Sequence, residues 1–389
     1  MKALELKAEW APRKDYRLSE FEKTTRKAVT SSSIYKNPEL KLTEIKVPKI
    51  EDSKSVVLKV KACGICGTDV HLYEKDEEGY VIYPGLTKLP VVLGHEFSGV
   101  VEEVGSDVKD LKVGDKVTVE EMNWCGECVN CRNGFPNQCL NLEELGITIN
   151  GGLAEYISVN SKFCWKIDAL EKSYSEDAIY EAGALVEPCS VAYNAIFERG
   201  GGFRPGAYFV VYGAGPVGLL AVGLAKSSGA ASVIVFEPVK TRMELAKKMG
   251  ADEVFDPNEL SKNNLSMHEV TMELTHGQGA DFHLETAGVT NKTTPEMEQS
   301  LAVNSKIVQT ARTSEKTPMY LEVLQVNAAQ VFGAQGHSGN GTFQNVIRMI
   351  ASGLLDVTKI ITSRYKLDHA LDAFKEATKR EDGKIIINI

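Results

Sequence analysis

The stretch AYFVVYGAGPVGLLAVGLAKSSGA, residues 207–230, joins two apolar runs through a glycine-rich turn. The first run is typical of a buried strand and the second of a buried helix. Gly213, Gly215 and Gly218 have the dinucleotide-binding spacing, which permits a tight turn, approach of a pyrophosphate and close helix packing. The free N–H groups at the start of such a helix attract phosphate. The stretch therefore predicts a dinucleotide site, which also includes Pro216 and Val217.

The strand SVIVF, residues 232–236, follows this turn and ends at Glu237. A carboxylate at that position can accept hydrogen bonds from the adenosine ribose hydroxyls. It would repel a 2′-phosphate, so the sequence favours NAD over NADP. Lys240 and Arg242 are close in the sequence, and their positive charges would reduce that preference. We include Arg242 among the cofactor residues.

Strands and helices continue to alternate downstream, which predicts a doubly wound parallel sheet with helices on both faces. We predict helices at 240–249 and around 295–303, and strands at 253–256, 281–285, 306–310 and 330–333. The nicotinamide end of the cofactor is expected near Ala287, Gly288 and Val308. Residues 337–389 end in the strand KIIINI, which we expect to return to the first domain.

Upstream of residue 187 the sequence is rich in short strands. Residues 53–62 alternate apolar and polar side chains, and the segments 89–105 and 111–120 continue the pattern with glycine turns between them. These features predict a small barrel-like β domain. The expected organisation is a β-rich domain over 1–186, an α/β domain over 187–336 and the return over 337–389.

Within the β-rich domain, KACGICGTDVH (residues 61–71) brings Cys66, Thr68, Asp69 and His71 together, and LGHE (93–96) adds a histidine and a glutamate. Thiolate, imidazole and carboxylate are the ligand types that zinc accepts. Each residue alone is also compatible with an ordinary core or loop position.

A second cluster, CGECVNCRNGFPNQC, carries Cys125, Cys128, Cys131 and Cys139. Four cysteines at this spacing can surround a tetrahedral zinc ion and leave no open position, which predicts a structural site in a lobe over about residues 120–142. A redox dithiol or a disulfide pair fits three regularly spaced thiols and a fourth less well.

Composition narrows the class of protein. The net charge of −9 and the lack of a basic stripe argue against nucleic-acid binding. The sequence has no run of eighteen apolar residues, so no membrane span is expected, and its first residues do not resemble a signal peptide. Eight cysteines, four of them clustered, suggest metal binding in a reducing cytoplasm.

Taken together, GICGTDVH, LGHEFSGVV, the four-cysteine lobe, LVEPCSVAYNAI and GAGPVG resemble the zinc-dependent medium-chain dehydrogenase/reductase family. The resemblance implies a GroES-like catalytic domain, a Rossmann domain, two zinc ions, NAD, and a homo-dimer or homo-tetramer. Glu-Pro at 187–188 is similar to the polyol and threonine dehydrogenases. Segments such as DEEGYVIYPGL and QGHSGNGTF resemble a branch that acts on an inositol-derived ketone.

The resemblance also assigns site residues. It makes Cys66, His95, Glu96 and Glu187 the candidate ligands of a catalytic zinc. It implies that a hydride passes from a secondary alcohol to NAD while Thr68 and His71 carry the proton outward, although His71 could simply be a surface histidine. Asp69 is expected to orient a ligand. Cys189 is an alternative ligand that we interpret as a buried thiol, and Cys63 and Cys164 are interpreted as structural.

Two features depart from the family pattern. Residues 10–40 form a longer opening that could cover the substrate, pack at an oligomer interface, or do neither. His337 and Ser338 stand where the family holds the carboxamide and substrate, so His337 is either a polyol contact or a loop residue. The expected substrate is a polyol or cyclitol, with the inositol-derived ketone favoured. The alternatives are an L-threonine or sorbitol-type dehydrogenase and, in another class, a non-catalytic zinc protein that binds NAD.

Overall fold

The computed structural model describes residues 1–50, 52–313, 316–337 and 339–389. Its strands are β1 (Lys2–Trp10), β2 (Tyr35–Glu44), β3 (Ser55–Gly64), β4 (Val91–Val92), β5 (Glu96–Val104), β6 (Lys116–Val119), β7 (Met122–Asn123), β8 (Glu143–Glu144), β9 (Tyr156–Asn160), β10 (Cys164–Lys166), β11 (Tyr208–Tyr212), β12 (Ser232–Phe236), β13 (Glu253–Phe255), β14 (Ala280–Glu285), β15 (Leu301–Gln309), β16 (Gln330–Gly333), β17 (Ile361–Lys366) and β18 (Lys384–Asn388).

Its helices are α1 (Glu20–Thr25), α2 (Gly67–Tyr73), α3 (Val129–Arg132), α4 (Ala178–Ala184), α5 (Val186–Tyr193), α6 (Pro216–Ser227), α7 (Lys240–Met249), α8 (Pro257–Lys262), α9 (Met267–Leu274), α10 (Thr290–Glu298), α11 (Leu321–Val326), α12 (Thr342–Ala351) and α13 (Ala370–Ala377). None of the helices in the described ranges is long and apolar enough to cross a membrane.

The chain divides into two compact units, one of residues 1–187 and 361–389 and the other of residues 188–360. The return to the first unit thus begins at 361, whereas the sequence analysis placed it at 337. The difference arises because the segment after α12 packs within the second unit. The turn at 357–360 contacts α6 and α7, and a Cβ at Gly223 in α6 would lie 2.5 Å from Leu355.

The strand pairs of the first unit are antiparallel except for β17 and β18, which are parallel. A three-stranded sheet has the order β2-β1-β4, and a larger sheet has the order β10-β6-β5-β3-β18-β17 with β9 also paired to β3. The final strand β18 lies beside β3, with Ile387 opposite Cys63. This pairing joins the C-terminal strand to the strand that leads to Cys66.

The second unit contains a parallel sheet with the order β13-β12-β11-β14-β15-β16. The order reverses at β11, whose neighbours are β12 and β14, and this is the switch point at which doubly wound folds bind ligands. The predicted β-rich and Rossmann folds are therefore confirmed.

One predicted helix in the second unit is wrong beyond residue 298. Helix α10 ends at Glu298, and Leu301 already begins β15. The Ser300 hydroxyl donates to the carbonyl of Glu296 at 2.8 Å and closes the helix. A short apolar run such as 301–303 does not distinguish strand from helix by periodicity, which explains the error.

Candidate metal centres and cofactor site

Asp69 connects the two segments that carry the first candidate ligands. It is fully buried on α2, and its Oδ2 accepts the N–H of Cys66 at 3.0 Å. Its Oδ1 accepts the N–H of Gly94 at 3.2 Å and lies 3.7 Å from Nδ1 of His95. A single carboxylate therefore positions both Cys66 and His95, as expected of a group that orients metal ligands.

The ligand atoms of Cys66, His95 and Glu96 all lie within 4.8 Å of one another. The surroundings of this group favour a cation. Burial alone would lower the pKa of His95, but the negative charges of Asp69 and Glu187 outweigh it and raise the pKa to about 9. Since sulfur, imidazole nitrogen and carboxylate oxygen are zinc ligands, the residues present fit a zinc ion.

Besides lying close to Cys66 and His95, Glu96 forms an ion pair that the sequence analysis missed. Its two carboxylate oxygens accept hydrogen bonds from Nζ of Lys384 at 2.7 and 2.6 Å, and Nζ also donates to the carbonyl of Ile65 at 3.0 Å. A side chain at Gly64 would collide with this pair, because its Cβ would lie 2.2 Å from a Glu96 oxygen. Glu96 thus lies beside the other ligand candidates with its charge already compensated.

Glu187 lies in the first turn of α5 and is buried. Burial and the nearby charge of Glu96 raise the pKa of Glu187 well above its ordinary value, and the thiol of Cys66 contributes in the same direction. Glu187 therefore belongs electrostatically to the group around Cys66. Cys189, two residues later, is fully buried, and it belongs to none of the groups of candidate metal ligands found among the described residues.

Glu121 is a further acidic residue that sequence reasoning did not select. It is buried, and one of its oxygens lies within 4.8 Å of an oxygen of Glu187. Burial and the charge of Glu187 raise the pKa of Glu121. Its signal in the sequence is the Glu120–Glu121 pair, which comes directly after a strand and before the first cysteine of the lobe.

Thr68 and His71 both lie on α2, three residues apart and therefore on one face of the helix. Both are half-buried. Burial, together with the positive charge of Arg380, lowers the pKa of His71. His71 is thus held largely neutral near pH 7, the state in which an imidazole can accept a proton.

The four lobe cysteines converge, with their sulfur atoms within 4.8 Å of one another. Sγ of Cys139 lies 3.5 Å from Sγ of Cys125 and 3.9 Å from Sγ of Cys128. A tetrahedral zinc with bonds of about 2.3 Å would place sulfurs about 3.8 Å apart. The Glu127 and Cys128 amides donate to the Cys125 sulfur and lower the pKa of that thiol to about 6. The lobe therefore fits a zinc ion bound by thiolates. All eight cysteines are free thiols.

In the second unit the glycine-rich turn has the geometry of a phosphate cradle. Gly213 has a φ of 92°, and a Cβ at Gly218 would lie 2.1 Å from the Gly213 carbonyl oxygen. Gly215 is the N-cap of α6 and Pro216 its first residue, followed by Val217. Space around the Cβ position of Gly215 is open, so the backbone there is accessible to a pyrophosphate.

Glu237 is anchored at the predicted position after β12. Its carboxylate accepts the N–H of Ala214 at 2.6 Å and the N–H of Val239 at 2.8 Å, and the side chain is 3% exposed. Glu237 therefore fixes the glycine-rich turn in addition to standing where a ribose is expected. Arg242 is half-buried on α7.

The loop after β14 carries Ala287 and Gly288, and a second buried carboxylate holds it. Glu285 accepts the N–H of Ala287 at 3.2 Å and that of Gly288 at 3.0 Å, and it also accepts from the Gln309 amide at 3.1 Å. Sequence reasoning did not select Glu285. Val308, which it did select, is fully buried in β15.

His337 is fully buried in the second unit, and its ring meets Phe343 edge-on with centroids 4.8 Å apart. Its carbonyl accepts a hydrogen bond from the Thr342 hydroxyl. Ser338 lies outside the described residues.

Comparisons with known proteins identify the family of the chain. The family model "Alcohol dehydrogenase GroES-like domain" matches residues 52–169, and "Zinc-binding dehydrogenase" matches residues 216–352. A scyllo-inosose 3-dehydrogenase from Thermotoga maritima is 44% identical over 385 residues, which cover 96% of each chain.

Solved structures show the same fold. A Thermotoga maritima protein proposed to be an alcohol dehydrogenase superposes with a TM-score of 0.96 and 42% identity, covering all of both chains. A short chain alcohol dehydrogenase from Escherichia coli CFT073, complexed with the cofactor NADH, has a TM-score of 0.80 and 26% identity over 100% of this chain and 99% of that one. The predicted family is confirmed, and a non-catalytic zinc protein is not supported. The chain belongs to the zinc-dependent medium-chain dehydrogenase/reductase family and is an NAD-dependent alcohol dehydrogenase of that family.

Proposed function

We propose that this enzyme oxidises a secondary hydroxyl of a cyclitol ketone, scyllo-inosose or a close analogue, with NAD as the hydride acceptor. The observation that carries the proposal is the 44% identity over 96% of the chain to a scyllo-inosose 3-dehydrogenase. The products would be the corresponding diketone, NADH and one proton.

We assign the catalytic zinc to Cys66 and His95, with Glu187 and Glu96 as the third and fourth candidate ligands, Glu96 being the one that also pairs with Lys384. A zinc ion bound there would lower the pKa of a substrate hydroxyl. Residues of the chain position the ligands and carry the proton. Asp69 holds Cys66 and His95 in place through backbone and side-chain contacts.

The proton of the hydroxyl is assigned to a route through Thr68 and His71. The Thr68 hydroxyl can both accept and donate a hydrogen bond. The lowered pKa of His71 keeps its imidazole ready to accept that proton and release it to solvent. NAD, when bound, would supply the nicotinamide that accepts the hydride from the carbon that bears the hydroxyl, as the hydroxyl proton leaves.

We assign NAD binding to the glycine-rich turn, to Glu237 and Arg242, and to the backbone of Ala287 and Gly288. The turn supplies N–H groups for the pyrophosphate, and the carboxylate of Glu237 supports NAD against NADP by repelling a 2′-phosphate. The second zinc is assigned to Cys125, Cys128, Cys131 and Cys139, with a structural role.

We also propose that the enzyme is a cytoplasmic homo-dimer or homo-tetramer. Strand β16 is the edge of its sheet, and unpaired edge strands favour pairing with another chain. Near it, Leu321, Val326 and Val331 are exposed apolar residues. Eight free thiols fit a reducing compartment.

The test is NAD reduction measured with scyllo-inosose, myo-inositol, sorbitol, xylitol, L-threonine and simple secondary alcohols. We expect turnover of scyllo-inosose, lost in His95→Ala and Glu187→Ala but kept in Glu103→Ala, which removes an exposed carboxylate. Turnover of L-threonine alone would overturn the cyclitol assignment and leave the zinc assignment standing. No turnover of any substrate by zinc-loaded, NAD-bound enzyme would overturn both.

A further inference from the structure

The long opening of the chain has a defined set of contacts. Strands β1 and β2 pair along most of their length, and residues 11–34 connect them. We call residues 11–37 the brace. Its core is a small apolar cluster in which Ala28, Ile34 and Tyr35 pack with Val81. The brace is thus an ordered part of the first unit.

The brace runs antiparallel to the connecting loop, residues 74–90. Backbone hydrogen bonds of 2.7–3.2 Å join the pairs Asn37–Gly79, Tyr35–Val81, Ser32–Tyr83, Ser31–Gly85 and Ala28–Thr87. The Ser31 hydroxyl also donates to the Gly85 carbonyl at 2.9 Å, and the Tyr35 hydroxyl accepts the N–H of Leu89 at 2.9 Å. These bonds follow the loop along most of its length.

The connecting loop joins the two elements that carry the candidate zinc ligands. It leaves α2, which Cys66 caps, and enters β4, which leads through Gly94 to His95. On the α2 side, the Tyr83 N–H donates to the His71 carbonyl at 3.1 Å. Irregular loops longer than about 12–15 residues are uncommon and tend to be mobile. Because this loop joins the segments that carry Cys66 and His95, contacts that fix the loop also limit movement of the two ligands.

Side chains add to this support. The Arg13 guanidinium pairs with Asp76 and Glu78, donates to the Ser32 carbonyl at 3.0 Å, and lies 3.9 Å above the Tyr80 ring.

Further along the brace, Lys27 forms an ion pair with Glu143 in β8. The brace is therefore attached both to the loop and to the strand that follows the cysteine lobe.

We propose that the brace is a positioning element. It fixes the position of Cys66 relative to His95 and thereby slows loss of the catalytic zinc. The inference rests on the proposed zinc assignment. It explains why an opening longer than the family pattern lies against this loop: the loop spans the two ligands, and fixing it limits their independent movement.

The experiment measures zinc release to a chromogenic chelator from the full enzyme. The phase that belongs to the catalytic site is the one absent from His95→Ala. In Arg13→Ala/Ser31→Ala we expect that phase to accelerate about fivefold or more, because hydrogen bonds that hold the loop are lost, while zinc release from the lobe is unchanged. Lys14→Ala is the matched control, since it removes an exposed cation of the same segment.

Two further outcomes have separate meanings. An unchanged catalytic-site phase in the double variant overturns the brace proposal alone. If His95→Ala releases as much zinc as the unmodified enzyme, the zinc assignment is overturned and this inference with it. Should the double variant fail to fold, zinc release is measured in Arg13→Ala alone. Arg13 is partly exposed, so its removal should leave the protein folded.

Discussion

Nζ of Lys384 lies 2.7 and 2.6 Å from the two carboxylate oxygens of Glu96, and both side chains are 1% exposed. The two residues are 288 positions apart in the sequence. Burying two charges is costly, but removing one partner is more so, because it leaves the other charge uncompensated. This pair therefore links the C-terminal strand to the residue next to His95.

We expect Lys384→Met to lower the free energy of unfolding by about 3–5 kcal/mol, because Glu96 remains buried without its counter-charge. Denaturant unfolding measures the loss. Lys226→Met is the control: it breaks a pair with Asp252 that is 30% and 39% exposed, and should cost about 1 kcal/mol or less. Equal losses in the two variants would contradict the role given to burial.

Asp69→Asn should weaken zinc binding at Cys66 and His95 about 10–100-fold, because the amide cannot accept both backbone N–H bonds and support His95. Competition with a chelator of known affinity measures the change. Asp107→Asn alters an exposed carboxylate and should leave the affinity as it was. Undiminished affinity in Asp69→Asn would show that Asp69 does not orient the ligands.

Cys139→Ser should reduce the zinc content by one ion per chain, because four thiolates are needed to complete the lobe site. Metal analysis of the purified protein checks this, with Cys164→Ser as a matched thiol outside the lobe. A full complement of zinc in Cys139→Ser would mean that the lobe cysteines do not bind the second ion.

Glu237→Ser should reduce the preference for NAD over NADP about tenfold or more. The carboxylate that would bond the ribose and repel a 2′-phosphate is lost, and a hydrogen bond to a charged group is worth about 1.5–3 kcal/mol. The ratio of kcat/KM for the two cofactors measures the effect. Glu253→Ser, at an exposed glutamate of the neighbouring strand, should keep the original ratio. An unchanged ratio in Glu237→Ser would remove Glu237 from cofactor selection.

Stability should depend on pH through His283, which lies fully buried in β14. Burial lowers the pKa of His283 from 6.5 to about 4, so between those values the unfolded chain binds a proton that the folded chain does not. The stabilisation from neutral His283 is therefore complete above pH 6.5 and is lost as the pH falls towards 4, a difference of about 3 kcal/mol.

The comparison of His283→Asn with the unmodified enzyme isolates this contribution. From pH 7 to pH 4 the unmodified enzyme should lose about 3 kcal/mol more unfolding free energy than the variant. Exposed His276, changed to Asn, should leave the pH dependence unaltered. Parallel pH profiles for His283→Asn and the unmodified enzyme would contradict the assignment.

Local patterns in the sequence were sufficient for the parts of the protein that depend on neighbouring residues. The turn around Gly213 and the helix at 240–249 follow from periodicity and glycine spacing within a few residues. The spacing of the lobe cysteines likewise predicts that Cys125 and Cys139 come together, because a segment this short can surround a single ion. The family resemblance added Glu187, which no local pattern distinguishes from an ordinary helical glutamate.

Tertiary structure decided the features that depend on residues far apart in the chain. Lys384 meets Glu96 only because β18 returns beside β3, and the brace meets the connecting loop only because β1 pairs with both β2 and β4. Glu121 likewise lies close to Glu187 only because the chain folds that way. Strand pairing creates these neighbours. Local spacing can indicate that a segment is a strand, but it does not determine which distant strand will lie beside it.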